Sequence, residues 1–139
     1  MTTQATPIRQ YGFGTHVAAS YADAVERTRA ALKEQGFGVL TEIDVAKTIK
    51  EKLGVDFRPY IILGACNPPL AHRALSADLG VGLLLPCNVV VYDDGAGAAN
   101  VEVLDPEAAL SLIQNPAMEE VAREAKRRLR LVIDALATS

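Results

Sequence analysis

The chain has 139 residues, half of them apolar and 22 % charged, which is enough core for one globular domain and excludes a disordered chain. A net charge of −3 at pH 7 argues against a surface built for nucleic acid. No apolar run approaches the roughly 20 residues of a membrane helix, and the opening MTTQATPIRQ lacks an apolar secretory core, so the expectation is a cytoplasmic protein with no membrane partner.

Residues 1–8 read as a loose tail and 9–137 as a single domain. From Arg9 to Val17, the residues Tyr11, Phe13, Thr15 and Val17 alternate with Gly12, Gly14 and His16, the period of a strand. Ser20 with Asp23 three residues on resembles a capping box with a shorter acid. Tyr21, Val25, Thr28 and Leu32 then mark one face of a helix that Gly36 ends. FGVLTEI is a second strand. Asp44 caps a short helix with Val45, Ile49 and Leu53 on one side, stopped by Gly54.

PYIILGA is a third strand, apolar on both faces, and Pro68 and Pro69 open the next helix. LLLPCNVVVY, residues 83–92, reads as a fourth strand, again apolar on both faces apart from Asn88. DDGAGA is a hairpin turn with glycines for positive φ. NVEVL returns as a strand with a polar outer face, which predicts an edge. The last helix, about 116–136, carries Met118, Val121, Ala122, Ala125, Leu129, Val132, Ile133 and Leu136 at helical spacing and should be the main cover of the sheet.

The order is therefore β-α-β-α-β-α-β-β-α, an α+β fold with a mixed sheet. Strands three and four are expected at the centre, covered on both sides. Helices can cover one face; another helix, a ligand or a second subunit must cover the other, and a symmetric homodimer is the expected answer.

GACNPPLAHRAL and LLPCNVVVY together resemble the domain-of-unknown-function family three-hundred-and-two, small bacterial and archaeal proteins. The likeness runs from Gly12 to about Leu136. It implies an α+β fold with a curved sheet and helices packed on it, assembled as a dimer, with a topology similar to that of the TATA-binding-protein group. It implies no activity, and no DNA role follows from fold alone.

The chemistry that the residues themselves suggest centres on Cys66. Asn67 is a good N-cap and Pro68 suits the first helical position, so Cys66 stands at a helix mouth, where the dipole favours an anion and a thiol pKa can fall. Against this, Pro68 and Pro69 lack N–H groups, leaving Leu70 and Ala71 with the first free amides. Two readings stand side by side: a reactive thiol, or a small buried hydrophobe at a strand end. Cys87, in PCN, repeats the ACN pattern beside Pro86, which suggests an edge or a bulge where the apolar flanks suggest a centre; the two cysteines can meet if their strands are neighbours, or are two unrelated core cysteines. Two cysteines make no disulfide framework, so both should be free thiols.

His72 points away from Leu70, towards solvent or a partner, and is the candidate assisting base; a plain surface histidine is the alternative. His16 shares a face with two glycines that leave room for a ligand or a close backbone. The candidate set is thus Cys66 and His72 for catalysis, and Asn67, Pro68, Cys87, Asn88 and His16 for an unknown small-molecule ligand. No cofactor can be named. No pair of these residues has metal-ligand spacing, so no metal is expected. The basic run Lys126–Leu131 follows Glu119, Glu120 and Glu124 on one helix and reads as a solvated face. The function expected is small-molecule binding with redox or persulfide-type chemistry at Cys66; the alternative is a non-catalytic homodimeric binding or scaffold module whose cysteines are structural.

Overall fold

The computed structural model describes residues 7–138. The expected tail lies mostly outside them; of it, Pro7 and Ile8 are described and exposed. Five strands, β1 (Gly12–Val17), β2 (Gly38–Asp44), β3 (Tyr60–Cys66), β4 (Cys87–Asp93) and β5 (Ala99–Leu104), form one open sheet in the order β1-β5-β4-β3-β2. The helices are α1 (Tyr21–Glu34), α2 (Val45–Leu53), α3 (Pro68–Ala77), α4 (Pro106–Leu110) and α5 (Pro116–Ala137), with a 3-10 turn at Leu79–Leu84. The α+β class and the order of the expected elements hold, with the short helix α4 and the 3-10 turn added.

Local chemistry sets the helix starts. The side chains of Ser20, Asp44, Asn67 and Asn115 each accept an amide hydrogen from the first turn of α1, α2, α3 and α5. Gly54 closes α2 at φ 68°, a left-handed conformation that glycine adopts without strain.

One face of the sheet is buried by α1 and the C-terminal half of α5. Leu63, Val89, Val91 and Val101 meet Leu32, Leu129, Val132 and Leu136 in one core cluster. Each of these aliphatic side chains contributes about 1.5–3 kcal/mol by leaving water. The N-terminal half of α5 runs past the sheet. There Met118, Val121, Ala122 and Ala125 form a second cluster with Leu70, Ala74, Val81 and Leu110. The apolar stripe of α5 is buried at every position expected.

Five expectations change. Every strand pair is antiparallel, so the sheet is not mixed. The helical connections α2 and α3 join strands that lie side by side and run in opposite directions. Next, β5 is an interior strand, because β1 pairs along its outer side from Gly12–Leu104 to Val17–Ala99. Its polar residues Asn100 and Glu102 are buried. Third, the fourth strand starts at Cys87. The apolar stretch before it folds as the 3-10 turn, nucleated by the Asp78 carboxylate accepting from the Gly80 amide. Pro86 falls just before the ladder, so its missing N–H removes no ladder bond and no bulge is needed; Cys87 pairs regularly with Ala65. Fourth, β4 is central and β3 adjoins it, but among the described residues their second face is left partly open: Tyr60, Ile62, Val90 and Tyr92 are only half-buried. Fifth, α2 buries none of its stripe: Leu53 is 72 % exposed.

Candidate functional site

Cys66 ends β3 and Cys87 begins β4. Because Cys87 stands opposite Ala65, the residue before Cys66, the two thiols come to the same end of the sheet. They line one cavity of about 320 Å3 between the sheet end, α3, the segment Leu85–Pro86 and α5. Leu70, Ala74, Leu110 and Val121 supply much of its wall, and Thr41 and Asn67 are the polar side chains at its margin. The cavity sits where the two core clusters adjoin: Ala65 belongs to the first, Leu70 and Ala125 to the second.

The helix mouth is closed to a thiolate. Asn67 is 5 % exposed, and its Oδ1 accepts from the Leu70 amide at 3.2 Å. The Ala71 amide is taken by the Asn67 carbonyl at 2.9 Å. Pro68 and Pro69 have no N–H to offer. The first turn therefore has no amide left for an anion, whatever the sign of the dipole there. Burial pushes the Cys66 thiol above its ordinary value. Cys87 is pushed up to about 11, by burial first and by the neighbouring Cys66 second. Both cysteines are free thiols, as expected, and both are stabilised in the neutral form.

The remaining predicted residues do not join them. Pro68 and His72 are exposed and outside the cavity wall. Among the described residues the His72 ring has no hydrogen-bond partner; its carbonyl accepts from the Ser76 hydroxyl. His16 lies on β1, on the face away from the helices, where its Nε2 is 2.9 Å from Asp94 Oδ2. Asn88, one residue after Cys87, faces the opposite side of the sheet, as strand alternation requires. The two glycines beside His16 serve strand packing: a Cβ on Gly14 would sit 2.1 Å from the Val101 carbonyl oxygen. Among the described residues no group of three or more His, Cys, Asp or Glu side chains is placed to hold a metal.

A second concavity, of about 490 Å3, lies on the other face of the sheet; of the predicted site residues only Asn88 lines it. At its centre Glu102 accepts from Arg9 Nε at 2.5 Å and Nη2 at 3.3 Å, and from the Tyr92 hydroxyl at 2.5 Å. Tyr60 stacks on Tyr92, ring centres 5.4 Å apart and planes 9° from parallel. Nearby on the same strand, Asn100 Oδ1 is a buried polar atom without a hydrogen-bond partner among the described residues. Periodicity showed only that Glu102 lies on the second face of its strand; its partner Arg9 is 93 residues away.

The basic run on α5 is neutralised locally. Lys126 reaches Asp105 at 2.9 Å, Arg127 and Arg128 both bind Glu124, and Arg130 lies over the Phe13 ring.

A family model described as Domain of unknown function DUF302 matches residues 13–136. The crystal structure of an uncharacterized conserved DUF302 protein from Bacillus stearothermophilus superposes with a TM-score of 0.84 at 33 % identity, over 92 % of this chain and 99 % of that one. Among curated proteins, the fluoride-specific ion channel FluC 1 of Brucella suis is 33 % identical over 88 residues, 63 % of this chain and 34 % of that protein. FluC 2 of Brucella melitensis matches over the same length, 32 % of its own. The chain thus spans about a third of the length of the curated relatives it matches. Among the described residues no helix is long and apolar enough to cross a membrane.

Proposed function

The chain belongs to the DUF302 family, a domain of unknown function, and we propose that it is a small-molecule-binding module whose site is the apolar cavity beneath Cys66 and Cys87. The observation that carries this reading is the cavity itself. Its volume of about 320 Å3 falls at the small end of the range for ligand sites, roughly 300–1,000 Å3. Its wall is aliphatic, with few polar groups at the margin, so the ligand class is a small, uncharged, mainly apolar molecule. The thiols serve as wall. A nucleophilic or redox role for Cys66 would need a thiolate at neutral pH, and burial and the closed helix mouth both act against one. Of the two functions expected from the sequence, the non-catalytic binding module is the better supported. The ion that names the curated relatives is not the ligand proposed for this chain, since an aliphatic wall has no charge to hold fluoride.

The test is a titration of the 15N-labelled protein with toluene, followed by amide chemical shifts. The expected result is saturable movement at Cys66, Leu70, Ala71 and Cys87, abolished in Ala71→Phe, which fills the cavity from its half-exposed margin. Uniform, non-saturable movement across the protein would contradict the reading.

We also propose that the working form is a homodimer. The support is apolar exposure along the edge strand β2 and α2, where Leu40 is 68 %, Ile43 51 % and Leu53 72 % exposed. Sedimentation equilibrium should give a dimer for the native chain and a monomer for a variant combining Leu40→Lys and Leu53→Glu. A native monomer at high concentration would remove the proposal.

A further inference from the structure

The concavity on the second face of the sheet lies between two chain segments. Arg9 and Tyr11, leading into β1, stand on one side, and Phe57 and Arg58, leading into β3, on the other. Its floor is β4 and the neighbouring part of β3, with Val90, Tyr92 and Tyr60 upward. The floor carries an aromatic cluster: Tyr60 and Tyr92 stack on each other, planes 9° from parallel, and Phe57 tilts against Tyr60 with ring centres 6.3 Å apart.

The charges in this groove do not cancel. Glu102, 7 % exposed, is matched by Arg9, which holds both of its oxygens. That pair is neutral and complete. Arg58 is different. It is exposed, donates to the Asp93 carbonyl at 3.1 Å, and has no carboxylate within 4.0 Å among the described residues. The groove therefore carries one uncompensated guanidinium at its rim, above an aromatic floor. Asn88 adds a polar side chain at the same wall.

We infer that this groove binds a planar aromatic carboxylate, its ring laid on Val90 and the paired tyrosines and its carboxylate met by Arg58. An aromatic ring gains offset-stacking contact on such a floor, and a guanidinium fork fits a carboxylate in two parallel hydrogen bonds. A second copy of the chain is a poorer occupant. A two-fold interface centred on this groove would set concave against concave and bring two unpaired Arg58 side chains into one interface with no carboxylate to meet them. The inference is independent of the cavity at Cys66 and Cys87, which lies at the end of the sheet and takes uncharged molecules.

The probe is 2-naphthoate, titrated into the 15N-labelled protein. Saturable shifts should appear at Asn88, Val90, Tyr92 and Tyr60. Arg58→Gln, an exposed change that leaves the fold intact, should weaken the affinity about tenfold, as loss of one charge-assisted contact does. Uncharged 2-naphthamide should bind the native protein correspondingly weakly. Shifts confined to Cys66 and Leu70 would put the ring in the cavity instead and overturn the inference. So would equal affinity of naphthoate for the native protein and Arg58→Gln. Shifts at the groove residues that grow with protein concentration alone would assign the face to a second copy, and also overturn it.

Discussion

Arg9 and Glu102 form a two-pronged ion pair that fastens the segment before β1 to the middle of β5, 93 residues later. The Tyr92 hydroxyl, from the next strand, donates to the same carboxylate. The three side chains tie three consecutive pieces of the sheet together on its second face, and they explain how a carboxylate can be buried there.

Tyr92→Phe tests this arrangement with the smallest change of shape. Loss of one hydrogen bond to a charged acceptor at a half-buried site should cost about 1 kcal/mol, read from urea unfolding. The pH dependence carries a second signature. Burial raises the Tyr60 and Tyr92 phenols above their ordinary value, and Glu102 raises Tyr92 further. A group raised in the folded state contributes stability that is full below its unfolded value, near pH 10, and is lost as pH climbs through the folded value. Tyr92→Phe should therefore be less stable at pH 7 but lose less on going above pH 10. Identical alkaline slopes would show that the Tyr92 hydroxyl does not hold this proton.

Gly14→Ala should be far more damaging than a surface glycine replacement. The added Cβ would meet backbone, 2.1 Å from the Val101 carbonyl oxygen and 2.8 Å from the Glu102 Cα, so relief requires β1 to part from β5. We expect a loss on the order of 3 kcal/mol or failure to fold. Gly38→Ala, where a Cβ meets nothing within 4 Å, is the control and should stay near native stability by thermal melting.

Much of the fold is written locally and is legible for that reason. Ser20, Asp44 and Asn67 each reach an amide three residues away, and Gly54 adopts its left-handed conformation whatever packs nearby. The α5 stripe needs only the helical period. The interior position of β5 was not legible, because it depends on β1 returning from the far end of the sequence to pair with it. An alternating strand with Asn100 and Glu102 on one face looks the same whether that face meets solvent or an arginine. The run Leu83–Pro86, read as the start of the fourth strand, misled because apolarity marks burial without naming the backbone that achieves it.

Within the site, Cys66, Asn67 and Cys87 were legible together, since a β3–β4 neighbour relationship was enough to unite them. Asn88 is set apart from Cys87 by strand alternation and His72 from Leu70 by helical spacing, both legible in the sequence, whereas the separation of His16 depends on β1 pairing with β5 at the far edge of the sheet. The effect of the helix mouth on Cys66 turned on where two particular amides donate, and both donate to Asn67.

Cys87 supplies an alkaline prediction of its own. Its thiol is held near 11 in the folded chain against an ordinary 9.0. The unfolded thiol ionises first, so stability should fall as pH rises from about 9 to 11, by an amount on the order of 2–3 kcal/mol. Cys87→Ala will shift the baseline but should flatten this fall. An unchanged slope in urea unfolding series at pH 8.5, 9.5 and 10.5 would contradict the burial of a neutral thiol.

Whether the thiols are wall rather than nucleophile is tested most directly by the alkylation rate of Cys66 by iodoacetamide in folded Cys87→Ser between pH 6 and 10. The prediction is slow labelling that rises only above the ordinary thiol range and accelerates when the chain is unfolded. Rapid labelling of the folded protein at pH 7 or below would mean a stabilised thiolate at the mouth of α3, and would contradict the assignment of the cavity to passive binding.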